Sequence, residues 1–414
     1  MTAQSFRYEV AGEEEHGNGL GFGVLPSAVP LKPDEWARLE ELGRLSYSVL
    51  KKGNALLAES IERPQQATDW LARLFLASVS PEHRSLAAQL SVEASHRSAP
   101  FVRMFRLDVL PDFTVSEIQC PGSGWPFGLK LEELYLIAAD QSPTLSAYAR
   151  WIGGNRAVWW LYNESFSGAV SHMVSRCRSV GLDVLCQSDG EFSPEDTAVS
   201  AIIKRPPLPD LLSRPAGRKL AERWLEGRVE IDPMPCQVPE TKFLLALLHD
   251  PRTRDRFTDE ERSLANPTHL IVSADQPVEV RNGNGLVTVP FSRLAEMKAH
   301  CVVKYGGARA WDRFGGHAVY CLAKEKPRDR RAVLARALQE WHHDEEGWIL
   351  QPAVLEKRLF PGGEANEYFV WRPGYSVSQS GEVSLVNAQI NTRPSWKVHG
   401  ATDSRFGLGA LFGS

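Results

Sequence analysis

The sequence predicts an α+β protein in which an N-terminal helical region leads into mixed, strand-rich segments. Three observations carry this. Residues 33–98 place apolar side chains largely at helical spacing. Residues 101–119 read as two apolar runs either side of a Pro-Asp turn, the pattern of a hairpin. Residues 157–192 read strand, helix, strand, and residues 299–352 read strand, glycine loop, strand, helix, strand. At 414 residues the chain is long enough for two or three domains with a sizeable core. Its 43% hydrophobic and 24% charged residues are those of an ordinary globular protein. A formal net charge of −4 gives no electrostatic case for nucleic acid or an anionic membrane as partner. The six cysteines form no CxxC pair and read as reduced, mostly buried thiols. The start, MTAQSFRYEVAGEEEH, lacks an apolar signal core, and no apolar run approaches the ~20 residues that span a bilayer, so the expected location is cytoplasmic.

Taken in order, residues 1–31 read as a loosely structured arm. GNGLGFG (17–23) has no strand before it and is a poor dinucleotide fingerprint. Helices are predicted from Pro33 and over 68–78, and Ser80-Pro81-Glu82 opens another. Phe105 to Val109 is a strand, Leu110 to Phe113 a turn, and Thr114 to Gln119 the returning strand. Such a hairpin brings Asp108 near Glu117 and Gln119, and the last two, two apart, share a face. Two carboxylates and an amide oxygen on one face suit a magnesium ion that bridges phosphates; an exposed hairpin with solvated acids reads equally well from these residues. Residues 129–140 read as a helix, 157–192 as an α/β unit with Gly181 as helix stop, and 201–205 as a further strand. The proline-rich stretch 205–217 reads as a linker or binding loop.

Residues 238–250 open a helix at about Pro239, with Lys242 in its first turn, where a cation is disfavoured unless an anion lies near. Thr258-x-x-Glu261 is a capping box. A helix over 289–300 precedes the strand 299–305, which ends in Lys304. Gly306, Gly307, Gly315 and Gly316 bracket the loop that follows. A lysine beside such a loop fits a polyphosphate cradle, and it equally fits an ordinary hairpin tip. A strand over 317–323, a helix over 328–343 and a strand over 347–354, interrupted at Pro352, complete the unit. Residues 366–393 alternate as strands, with turn signals at Pro373-Gly374 and Ser380-Gly381. Arg358, Arg372 and Arg393 are each able to grip a carboxylate or phosphate.

The stretch RLDVLPDFTVSEIQCPGSGWP (106–126) resembles the metal-binding strand pair of ATP-grasp enzymes. There an Asp on one strand and Glu-x-Asn on the next hold magnesium. Asp108 and Glu117 match, and Gln119 stands where Asn is usual, offering the same oxygen on a longer arm. The resemblance implies that Lys242 and Lys304 reach the nucleotide phosphates, that Gly306 and Gly307 begin a loop over them, that Gln351 holds the adenine edge, and that Glu356 holds the ribose. Arg372 joins Lys304 as the expected catalytic pair. The acids precede the lysines here, an order that resembles the circularly permuted branch of the superfamily, including glutathionylspermidine synthetase-like and peptide ligases.

The implied fold is a permuted ATP-grasp: two α/β lobes enclosing a nucleotide cleft, with an N-terminal helical region and a small Rossmann-like subdomain. The implied units are an arm and helical region over 1–100, the metal-binding strand pair over 101–150, the Rossmann-like subdomain over 151–235 and the nucleotide-binding lobes over 236–414. The implied activity is ATP- and magnesium-dependent ligation of a carboxylate to an amine through an acyl phosphate. Its partners would be small molecules, an amino acid, polyamine or short peptide. The alternatives are a non-catalytic module that binds nucleotide or a partner, and a phosphotransferase.

Overall fold

The longest element is a 30-residue helix, Pro33–Glu62, about 45 Å from end to end. It lies across one face of the largest sheet in the computed structural model. The structure describes residues 23–64, 69–120, 124–135, 137–161, 167–204, 206–282, 285–307, 318–344, 346–363, 365–398 and 403–411. Among them the fold is mixed α/β, with four sheets. The largest runs Gly23–Val24, Arg405–Leu411, Val383–Arg393, Glu367–Val377, Met104–Val109, Val115–Gln119, with Val29–Leu31 and Lys357–Arg358 added at its sides.

Strand alternation gives this sheet two unlike faces. Phe105, Leu107, Val109, Trp371, Tyr375, Ala388 and Ile390 point one way, into the core shared with Leu39, Leu42 and Leu45 of the long helix. Arg106, Asp108, Arg372, Asn387, Gln389 and Asn391 point the other way, and all six are buried. Tyr375 fixes the helix to the sheet by donating a hydrogen bond to the Leu39 carbonyl at 2.7 Å. Gly43 lies under the same ring: a Cβ there would stand 2.3 Å from two Tyr375 carbons.

A second sheet is parallel throughout, in the order Val184–Ser188, Ala157–Leu161, Ala201–Lys204, Glu230–Ile231. Helix Ser167–Ser179 makes the first crossover, and Gly181, at φ +85°, follows its end. A third sheet is antiparallel: Val319–Cys321, Cys301–Tyr305, Trp348–Pro352, His269–Leu270. Helix Pro327–Asp344 sends Val333, Leu334 and Ala337 into its core with Trp348 and Leu350. The hairpin Pro277–Asn282 with Gly285–Pro290 is the fourth. The capping box forms as expected: Thr258 Oγ1 accepts from Glu261 N, and the Glu261 carboxylate accepts from Thr258 N. All six cysteines are free. Among the described residues no helix is long and apolar enough to cross a membrane.

Several expectations need correction. The arm is not loose from residue 23 onward, because Gly23–Val24 and Val29–Leu31 pair in parallel with Arg405–Leu411; residues 17–22 lie outside the described residues. The stretch 205–217 is no linker. Residues 208–213 and 215–217 of it belong to two helices, Leu208–Ser213 and Pro215–Leu225, each with a proline in its first turn, where the missing N–H costs nothing; residue 205 lies outside the described residues. For the same reason the helix expected over 129–140 starts earlier and runs Trp125–Leu134. A further helix, Pro143–Ile152, follows, its start capped by Ser142 accepting from Leu145 N at 3.1 Å. Residues 291–295 make only a short 3-10 turn, and 285–290 are strand. Pro373-Gly374 does not turn the chain. It lies inside the strand Glu367–Val377 at a register shift, where Gly374 admits the Trp125 ring: a Cβ would meet it at 2.8 Å. Ser380-Gly381 does turn, with Gly381 at φ +84°.

Gly43→Ala sets a helix-propensity gain of about 1 kcal/mol against overpacking of Tyr375, which costs about 1–3 kcal/mol. The ring is buried and hydrogen-bonded, so the expected outcome is a lower denaturant midpoint with an unchanged slope.

Candidate functional site

Asp108 and Glu117 are register partners across the hairpin, so their carboxylates leave the sheet on the same face. Arg106 and Gln119 are the next such pair, and Arg106 donates to Gln119 Oε1. From the adjoining strand Arg372 meets Asp108 with two nitrogens, Nε 3.3 Å from Oδ1 and Nη2 3.4 Å from Oδ2. Arg106 Nη2 stands 3.4 Å from the same Oδ1. One carboxylate thus lies between two guanidinium groups.

The lysines come from the other side. Lys242 is the residue just before helix Phe243–Leu247, not within its first turn, and its ammonium lies 3.1 Å from Glu117 Oε1. Its backbone N–H donates to the Gly306 carbonyl at 2.8 Å, which ties it to the end of the Lys304 strand. Lys304 donates to the Ser116 carbonyl at 3.0 Å and to Gln351 Oε1 at 3.1 Å. Gln351 in turn donates to the Val115 carbonyl at 3.2 Å. Residues 106–119, 242, 304, 351 and 372, far apart in the chain, therefore meet at one place. Among the described residues four cations surround two carboxylates there, a surplus of positive charge in a largely dry setting.

The protonation behaviour follows. Burial pushes the Asp108 carboxyl up, but Arg372, Arg106, Lys304 and Lys242 pull it below its usual range. Burial takes Lys304 down to about 8; Glu117 opposes the shift, Lys242 adds to it, and Asp108 opposes it. Burial likewise takes Arg106 down to about 10.

Arg106 is the member that the residue-by-residue reading passes over. Its signal was present: Arg-x-Asp on one strand puts both side chains on the face that Glu-x-Gln shares on the next. Gly306 has a packing role of its own, because a Cβ there would meet the Phe243 ring at 2.3 Å; at Gly307 it would meet the Tyr305 hydroxyl at 2.6 Å. Gly315 and Gly316 lie outside the described residues. Glu356 is exposed, just before the short strand Lys357–Arg358. Arg358 is exposed on that strand, and Arg393 pairs with Asp403 at 2.5 Å, so of the three arginines Arg372 alone joins the cluster.

Among the described residues no group of three or more His, Cys, Asp and Glu converges as a metal site would require of those types alone. Asp108, Glu117 and the Gln119 oxygen are nevertheless hard donors around one spot. Asp108 Oδ1 is buried and held at ion-pair distance by Arg372 Nε and Arg106 Nη2, so a divalent cation there would share the carboxylate with two guanidinium groups. The donor chemistry fits magnesium. Farther along the same face, Asn391 is fully buried and neither its oxygen nor its nitrogen is hydrogen-bonded.

No protein-family model matches the chain, and no curated protein matches it. Among solved structures, a glutathione synthetase-like effector (GSS30) from Globodera pallida, in its apo form, aligns over 94% of this chain and 90% of that chain, with 10% identity and a TM-score of 0.46.

The lowered Lys304 value has a direct consequence for stability. The unfolded chain keeps this proton up to about pH 10.5 and the folded chain only to about 8. Between those values the unfolded state binds more protons, so this group's contribution to stability rises with pH. Relative to Lys304→Met, the wild-type unfolding midpoint should therefore climb from pH 7 to pH 10. Parallel pH profiles for the two proteins would contradict the assignment.

Proposed function

We propose that this chain is an ATP-dependent carboxylate–amine ligase of the circularly permuted ATP-grasp kind. One observation carries the reading: Arg106, Lys242, Lys304 and Arg372 converge from four segments on the Asp108–Glu117 pair. Among the described residues four cations against two carboxylates leave a surplus of two positive charges. The magnesium complex of a nucleoside triphosphate is a net dianion, so the charges match. In this reading residues 101–150 carry the acids, 236–414 carry the nucleotide-binding lobes, and the parallel sheet within 151–235 helps hold the acceptor.

Asp108, Glu117 and Gln119 would be the oxygen donors for magnesium, which would supply charge stabilisation to the phosphate oxygens. Lys242 and Lys304 neutralise the phosphates, and Arg372 and Arg106 hold the transferring phosphoryl group and the carboxylate in line. A carboxylate oxygen of the substrate attacks the γ-phosphorus, the bond to ADP breaks, and an acyl phosphate forms. The nitrogen of an amino acid, polyamine or short peptide then attacks the acyl carbon. Inorganic phosphate leaves, the nitrogen loses a proton, and an amide remains. The protein contributes orientation and fixed charge.

A second reading has its own observation. Both Asp108 oxygens face arginines, and Gln119 is held by Arg106. A module that binds nucleotide without turning it over would look the same.

The test is incubation with ATP, magnesium and a pool of amino acids, polyamines and dipeptides, following ADP and phosphate, with mass spectrometry for the amide. Glu117→Gln should lower acceptor-dependent turnover by about 100-fold or more while leaving the thermal midpoint near that of the wild type. ATP binding without turnover on any acceptor would favour the module, and a phosphorylated product without amide would favour a phosphotransferase. Full activity in Glu117→Gln would remove that residue from the site.

A further inference from the structure

The lysine strand and the acid hairpin belong to different sheets, and a single side chain bonds to both. Gln351 lies on Trp348–Pro352 beside the Lys304 strand, and only 1% of its surface is exposed. Its oxygen accepts from Lys304 Nζ at 3.1 Å. Its nitrogen donates to the carbonyl of Val115, 236 residues away in sequence, at 3.2 Å. Lys304 reaches past it to the neighbouring carbonyl of Ser116 at 3.0 Å. We propose that Gln351 is a positioning residue: its amide holds the Lys304 ammonium against the acid hairpin and so sets where a polyphosphate meets the chain. This rests on the anion-site reading above.

The amide suits the task because it presents an acceptor and a donor at once. The acceptor faces an ammonium and the donor a backbone carbonyl, so neither sheet can shift without breaking one of the two bonds. An edge engaged at both ends and shut off from solvent is also poorly placed to read a purine, which moves the expected adenine contact away from this side chain. Burial without an acceptor would drive the ammonium toward its neutral form. Gln351 works against that without supplying a charge that would cancel the lysine's. Lys304 is faced by Glu117 and Asp108 from the hairpin and by Lys242 from the segment before Phe243–Leu247, and these set the background for any change at residue 351.

Two substitutions act in opposite senses. In Gln351→Glu a carboxylate replaces the amide oxygen, so Lys304 keeps its proton to higher pH while the net charge offered to an anion falls. In Gln351→Leu the ammonium loses an acceptor and gives up its proton at lower pH. The probe is inorganic tripolyphosphate without divalent metal, titrated calorimetrically into the full chain from pH 6.5 to 10, with thermal melts as the check on folding.

Wild-type affinity should hold level to about pH 8 and then fall as Lys304 loses its proton. Gln351→Glu should bind roughly tenfold more weakly at pH 7, with the alkaline fall displaced upward by about one unit or more. Gln351→Leu should show the fall displaced downward. Should Gln351→Leu not fold, the upward displacement in Gln351→Glu decides alone. An unmoved alkaline fall in the folded variants, whatever happens to their melting points, would make Gln351 a merely structural residue and overturn the proposal. A wild type that does not bind tripolyphosphate would instead sink the anion-site reading itself.

Discussion

A charged ammonium taken out of water must be given oxygen, and the placement of Lys304 rests on that requirement. Its oxygens come from the Ser116 carbonyl of the large sheet and from Gln351 of the neighbouring strand. The hairpin strand Val115–Gln119 therefore has to lie against the lysine sheet. Its N–H at Val115 is spoken for as well, donating to the Leu264 carbonyl at 2.8 Å. Two sheets of different topology are held in register by polar bonds with little tolerance for displacement. The acids and the lysines share one space because of them.

The large sheet makes this possible by having two unlike faces. Its apolar face is satisfied by the long helix, so the opposite face need not supply hydrophobic core. That opposite face collects charge near the hairpin and neutral amides beyond it. Part of it is plainly structural. The buried Glu132 carboxylate accepts from Ser142, Thr144 and Asn387, and is satisfied wholly from within the protein. Gly128 lets its helix settle onto the amides, since a Cβ there would stand 2.7 Å from Gln389 Nε2. The contrast with Asn391 is informative, because among the described residues neither its buried oxygen nor its buried nitrogen has a hydrogen-bond partner. A buried polar atom without a partner costs about 1–3 kcal/mol, and a ligand is one means of recovering it.

The charge surplus acts in the same direction. Two guanidinium groups on one carboxylate, with two ammonium groups nearby, repel one another in a setting that screens them poorly. A polyanion bound there, as proposed, would relieve the repulsion and stabilise the folded state by its own binding free energy. The lowered values at Lys304 and Arg106 express that unrelieved cost in the free protein.

Alternation and capping were legible in the residues themselves: the long N-terminal helix, the Asp108–Glu117 hairpin, the α/β unit after Ala157, the Thr258–Glu261 box and the Lys304 strand each follow from local periodicity or turn chemistry. Local rules misled where prolines started helices at 208–225 and where Pro373-Gly374 stayed within a strand, because a close-packed neighbour, the Trp125 ring, decided the second case. The contacts of Arg106, Gln351 and Arg372 were decided by tertiary structure. A side chain's partner across 188 or 236 residues has no signature in spacing. It is settled only when two sheets pack and each buried donor must find an acceptor.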